Sequence, residues 1–334
     1  MKPIIGVTMG DFNGIGPEVT LKALLSPEVQ RCCKPVIIGS IDVYEWYARR
    51  FRMKLLFREI DQIPRIFQSG VTHVFPIEQY RMPSIRPGMA SRESGDYAVE
   101  AIKKTTDFCQ RGILDAMVTA PVSKAAIDSA GYHFPGQTEM LTKFTSSRNV
   151  MMVLIAENSR VGLATVHIPV KDVAKSISIQ KIREKISILQ SSLKRDFRIM
   201  KPRIAVLGLN PHGGENGLLG KEEMGKIIPA IKKFNKQNCI IDGPFPADGF
   251  FGSRMFINYD AILAMYHDQG LIPLKLIGFD KGVNYSAGLK IIRTSPDHGT
   301  GISIAGKGIA NAGSMIEAIK LAAKIFRNRT ISKI

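Results

Sequence analysis

The sequence predicts an α/β protein of two domains with largely parallel sheets. Three observations carry this. Short β-rich runs alternate with longer helical patterns along almost the whole chain, which is the pattern of βαβ units. The 334 residues are enough for about two cores of ordinary size. Hydrophobic residues make up 45% and charged residues 22%, which places the chain among globular proteins and excludes a disordered or fibrous one.

In chain order, PIIGVTM (3–9), KPVIIG (34–39), LDAMVTA (114–120), MMVLIA (151–156), RIAVLGL (203–209) and AILAMYH (261–267) read as strands. Between them, residues 18–25, 97–109 and 179–193 read as helices. Residues 313–327 form a closing helix, with Ile316, Ile319, Ala323 and Phe326 on one face. No internal repeat, low-complexity linker or long Pro/Ser-rich break interrupts the series. Two domains that exchange the chain more than once explain the missing linker better than two successive ones.

Composition narrows the function. The N-terminus reaches Gly and Asp too soon for a signal peptide, and no stretch approaches the roughly 18 apolar residues of a membrane helix, so a cytoplasmic protein without membrane contact is expected. Cys32, Cys33, Cys109 and Cys239 lack CxxC spacing and read as buried free thiols. The net charge of +17 raises the question of nucleic acid. Its densest segment, 171–203, carries ten basic and three acidic residues, yet Ile182, Ile186, Leu189 and Leu193 recur within it at helical spacing. With no aromatic interleaving and no nucleic-acid motif, it reads as a basic surface helix, and no nucleic-acid partner is expected. A positive field also helps to collect small anionic substrates.

Three histidines share one topological address. His167 follows VGLATV, His212 follows RIAVLGLNP and His267 follows AILAMY. Carboxyl ends of parallel strands face the ligand crevice, and three imidazoles are a sufficient protein ligand set for a catalytic divalent metal with one position open. Asp268 beside His267, and Asp248 in GPFPADG, are carboxylates able to orient an imidazole or accept a proton. Residues 10–18, GDFNGIGPE, join a strand to a helix, with Pro17 in the first turn; on spacing alone a plain strand-to-helix turn is the less favoured reading, and no GxGxxG fingerprint is present. Residues 207–217, LGLNPHGGENG, form a polar, backbone-exposing loop suited to metal or phosphate. Lys275, Asn284 and Arg293 suit a phosphate monoester, although taken alone they read better as ordinary surface charge. The run Asp297 to Asn311, DHGTGISIAGKGIAN, offers backbone donors to an anionic or adenine-bearing ligand, or small residues for helix packing.

Together GDFNGIGPE and HGTGISIAGKGIAN resemble the isocitrate/isopropylmalate dehydrogenase superfamily, which binds a nicotinamide dinucleotide without a Rossmann fingerprint. TAPVSK, FPGQTE, NPHGGE, FPADGFF, YHDQG and IIRTSPDHGT narrow the resemblance to the 4-hydroxythreonine-4-phosphate dehydrogenase family, with motifs spread from residue 6 to residue 311. The resemblance implies a two-domain α/β/α fold with its active site in the interdomain cleft. One discontinuous domain, 1–135 plus 290–334, would carry the dinucleotide segment, and a second, 136–289, the metal ligands and dimer contacts. The implied reaction is the NAD-dependent (NADP also admissible), metal-assisted oxidation of 4-phosphohydroxy-L-threonine. The 3-keto acid then decarboxylates to 3-amino-2-oxopropyl phosphate in pyridoxine and pyridoxal phosphate biosynthesis.

By the same resemblance His167, His212 and His267 ligate one divalent ion (zinc, cobalt or magnesium), with His267 donated across a homodimer. Gln137, Thr138, Lys275, Asn284 and Arg293 contact substrate, and His298, Gly299, Thr300, Gly306 and Asn311 contact the dinucleotide. Asp248 and Asp268 are the candidate bases. Two departures stand out: Gln137 replaces a His common in the family, and Ser303 replaces an acidic residue. The first keeps open a dehydrogenase for threonate or erythronate 4-phosphate. A phosphate acyltransferase shares the broad fold but needs no three-histidine metal site.

Overall fold

The computed structural model describes residues 2–77, 83–234 and 239–331. The described strands are β1 (Ile4–Thr8), β2 (Lys34–Gly39), β3 (Leu56–Glu59), β4 (Val71–Pro76), β5 (Ala116–Thr119), β6 (Met151–Ala156), β7 (Ser159–Leu163), β8 (Arg203–Leu207), β9 (Ile240–Phe245), β10 (Ala261–Ala264), β11 (Val283–Ala287) and β12 (Arg293–Pro296). The chain forms two compact units, Met1–Ser147 with Leu289–Arg327, and Arg148–Gly288 with Asn328–Ile334.

In the first unit the strands lie in the order β3-β4-β2-β1-β5-β12, with every neighbouring pair parallel. The central strands are apolar on both faces, as a sheet covered by helices on both sides requires, with Ile5, Val7, Ile37, Ile38, Met117 and Val118 fully buried. The helix Arg92–Gln110 starts earlier than its apolar pattern, because Ser91 and Ser94 close a reciprocal capping box. The second unit is ordered β11-β6-β7-β10-β8-β9. Here β11, β6 and β7 pair antiparallel, while β7, β10, β8 and β9 run parallel. Its core packs Leu154, Leu163, Leu207 and Ile262 against Phe250, Leu271 and Leu274. Gly270 lets the helix His267–Gly278 sit on this sheet, since a Cβ there would lie 2.7 Å from Val161. The basic segment is a helix, Ile179–Phe197, that buries Ile182, Ile186, Leu189 and Leu193.

The structure differs from the sequence reading in several places. AILAMYH is strand only to Ala264, and His267 opens a helix instead of ending a strand. The first unit extends to Ser147 and so contains Gln137 and Thr138, because the helix Gln137–Phe144 is tied to Arg293 and to the Ala120 carbonyl. Residues 328–331 join the second unit, where Arg329 pairs with the buried Asp196 at 2.6 Å. All four thiols are free; Cys33 and Cys239 are buried, whereas Cys32 and Cys109 are half-buried. No helix among the described residues is long and apolar enough to cross a membrane.

Candidate active site

The histidines of the second unit follow its parallel strands. His167 lies just past the carboxyl end of β7, His212 past β8 and His267 past β10, and β10 is hydrogen-bonded to both of the others. With strands about 4.8 Å apart, the three loops start within about 10 Å of one another. The His167 and His267 rings are 6.0 Å apart by centroid. Among the described residues, no group of three or more His, Cys, Asp or Glu side chains is placed to share a metal ion, so the imidazoles of one chain share an address without converging. The donor chemistry still suits a divalent ion. His267 Nδ1 bonds Asp268 Oδ1 at 2.7 Å, which fixes the ring and leaves Nε2 for a ligand.

His212 sits in an unusual loop. Residues 212 to 216 all have positive φ, from 43° to 79°. A left-handed turn of L-residues costs roughly 1–2 kcal/mol per non-glycine residue, so it needs external support. Glycines 213 and 214 lower that cost, and a Cβ at Gly214 would meet the Glu223 carboxylate at 2.6 Å. Glu223, buried below the loop, supplies the support by accepting from the Leu209 and Asn210 N–H groups at 2.7 and 2.8 Å.

Asp248 and Asp268 line one surface depression of about 290 Å³, together with Phe251, Tyr266, Ile272 and Leu276. Lys275 is exposed in the last turn of the helix His267–Gly278, its ammonium 5.9 Å from the Phe279 ring centroid. Asn284 is on β11, and its buried Oδ1 has no hydrogen-bond partner among the described residues, which leaves an acceptor for a ligand hydroxyl or amine.

In the first unit Arg293 is the largest fully buried side chain. Its guanidinium donates to the Thr119 hydroxyl at 3.0 and 2.7 Å and to Gln137 Oε1 at 3.0 Å. Burial holds it down to about 10, with Glu139 acting the other way, so it stays cationic at neutral pH. Gln137 and the buried Thr138 open the helix Gln137–Phe144. A guanidinium beside the positive end of a helix dipole makes a two-part anion receptor. Arg293 is thus brought to Gln137 and Thr138, whereas Lys275 and Asn284 belong to the second unit.

The same unit joins the two glycine-rich motifs. Ile15 N–H donates to the Thr300 carbonyl at 2.8 Å, and a Cβ at Gly14 would lie 2.8 Å from that oxygen. Buried Glu18 accepts from Ala310 N–H at 2.7 Å, and Lys22 donates to the carbonyls of Gly308 and Ala310 at 2.9 and 2.7 Å. Gly306 C=O accepts from Arg50 at 2.7 Å. Burial holds His298 below its ordinary value, and its buried Nε2 has no hydrogen-bond partner among the described residues. Gly299, Ser303 and Asn311 are exposed. Thr119, Glu18 and Gln269 lie inside the TAPVSK, GDFNGIGPE and YHDQG motifs, whereas Lys22 and Glu223 carry no motif signal and reach the site only through folding.

A largely parallel α/β scaffold with imidazoles after adjacent strands, a buried guanidinium at a helix start and an anchored glycine-rich segment fits the dehydrogenase type suggested by its motifs. Comparison with known proteins places it. The family model for the pyridoxal phosphate biosynthetic protein PdxA matches residues 31–322, and the chain belongs to that family. It is 40% identical to the 4-hydroxythreonine-4-phosphate dehydrogenase of Bacteroides thetaiotaomicron, over 98% of this chain and 90% of that one. It is also 40% identical to the D-threonate 4-phosphate dehydrogenase of Cupriavidus necator, over 98% of each chain. A crystal structure of 4-hydroxythreonine-4-phosphate dehydrogenase from Klebsiella pneumoniae superposes with a TM-score of 0.87 at 36% identity, over 97% of this chain and all of that one.

Proposed function

We propose that the protein oxidises the C3 hydroxyl of 4-phosphohydroxy-L-threonine with NAD, or with NADP, giving a 3-keto acid that decarboxylates to 3-amino-2-oxopropyl phosphate. The observation that carries this reading is the departure of three imidazoles from adjacent parallel strands. His167, His212 and His267 would hold the divalent ion (zinc, cobalt or magnesium), and when bound it supplies Lewis acidity toward a hydroxyl and the carbonyl that replaces it. The nicotinamide supplies the hydride acceptor, and the segment from His298 through Gly299, Thr300 and Gly306 to Asn311 is the part of the chain that would contact it.

The remaining roles follow from the side chains. Asp268 is committed to His267 Nδ1 and orients that ring. Asp248 shares the depression with Asp268 and is the better placed of the two to accept the substrate proton. Arg293, Gln137 and Thr138 bind the phosphate, whose charge is worth more beside a desolvated guanidinium than in water. Lys275 and Asn284 complete the substrate contacts.

A homodimer fits the same reading. Ile272, Leu276 and Phe279 are 59%, 84% and 72% exposed on and just past the helix that His267 opens. A second copy covering this apolar stripe would bring each His267 to the subunit boundary; a one-chain mass by light scattering would contradict it.

A second reading, a dehydrogenase for threonate or erythronate 4-phosphate, is favoured by Gln137. Its amide is engaged at both ends, with Arg293 and with the Ala120 carbonyl at 3.4 Å, and supplies no charge. Comparing kcat/KM on the amino and hydroxy substrates decides. The first reading expects 4-phosphohydroxy-L-threonine to be preferred by about tenfold or more, because a correctly paired ammonium is worth roughly 1.5–3 kcal/mol. A preference for the hydroxy acids would assign the second.

A further inference from the structure

The three histidine loops are tied to one another beyond the point where the sheet ladder stops. The last paired residues are Ala264 with Leu163 and Leu263 with Val206. Past them, fully buried Met265 lies two residues before His267 and has both backbone groups committed. Its N–H donates to Gln269 Oε1 at 2.7 Å, and its C=O accepts from the Thr165 hydroxyl at 2.8 Å and the Thr165 N–H at 3.2 Å. Gln269 then donates through Nε2 to the Gly208 C=O at 2.7 Å, crossing from the end of β10 to the end of β8. From there Glu223 takes over, holding Leu209 and Asn210. Gln269, Thr165 and Glu223 are 9%, 3% and 2% exposed.

Buried backbone groups beyond a ladder must find other partners. An amide carries its acceptor and its donors on separate atoms, and here an N–H and a C=O face it, which fixes which way it points. We propose that Gln269 is a positioning residue: it sets the departure points of the His212 and His267 loops relative to each other, as Thr165 does for the His167 loop. The consequence for metal rests on the function proposed above; the hydrogen-bond chain itself does not.

Two variants of the full-length enzyme separate this role from plain packing. Gln269→Met keeps length and bulk but loses both bonds. Gln269→Glu keeps the acceptor for Met265 N–H and loses the donor to Gly208. Hydrogen exchange is followed in segments 208–217 and 265–269, with Co(II) affinity and the visible Co(II) absorption band as the second readout. For Gln269→Met, exchange in both segments is expected to rise about tenfold, with β1 to β5 unchanged. Co(II) affinity is expected to fall about 10- to 100-fold with a shifted band, as for other residues that orient metal ligands, and Gln269→Glu should lie between. Exchange, affinity and band all equal to wild type, even at a lowered Tm, would overturn the role and leave Gln269 as packing. If the wild-type enzyme takes up no Co(II), the metal reading fails and exchange alone decides: raised exchange in the two segments supports the positioning role, and unchanged exchange overturns it.

Discussion

Arg293→Met is expected to lower kcat/KM for the phosphorylated substrate by about 100- to 1000-fold while leaving the fold intact. The buried guanidinium is the cation of the receptor built with Thr119, Gln137 and Thr138. Losing a charge-assisted, desolvated contact to a dianion is worth roughly 3–4 kcal/mol, which converts to that range. Stability is also expected to fall by about 1–3 kcal/mol, because Met leaves the Thr119 hydroxyl, Gln137 Oε1 and the nearby Glu139 without their buried cation. A variant that unfolds, or one that keeps its kcat/KM, would show Arg293 to be a structural ion instead. Steady-state kinetics with a parallel thermal melt makes the distinction.

The second large effect is at His212. His212→Asn is the informative change, since Asn tolerates the positive φ of 51° at this position whereas Ala does not. His212 is exposed, so stability should shift by no more than about 0.5 kcal/mol. Oxidation should fall by on the order of 1000-fold or more, because a lost imidazole removes a third of the protein ligands to the ion. Equal activity in His212→Asn and wild type would remove this loop from the site.

Much of this was legible in the sequence, and the exceptions have physical reasons. Strands β1, β2, β5, β6, β8 and β10 are apolar on both faces and stand out as continuous runs. Strand β3, LFRE, is an edge strand that exposes Leu56, and β11 and β12, VNYSA and RTSP, carry the polar residues assigned to substrate. Their hydrophobic signal is erased by the chemistry they hold. The helix His267–Gly278 was hidden because its apolar run continues from β10 and contains Pro273 and the exposed Ile272 and Leu276. The histidines were visible through their placement after strands. Glu18, Glu223 and Gln269 were not, since each acts through a partner set by folding: Ala310 lies 292 residues from Glu18, and Gly208 lies 61 residues from Gln269. Pattern along the chain reports burial; it does not report which buried amide meets which strand end.

Family membership narrows the chemistry, and one assay tests it most directly. Reduction of NAD is followed with 4-phosphohydroxy-L-threonine as substrate, before and after treatment with a chelator and after restoring Zn(II), Co(II) or Mg(II). Substrate-dependent NADH formation is expected, abolished by chelation and restored by at least one of these ions. NADH formation that persists undiminished in metal-free protein would contradict it.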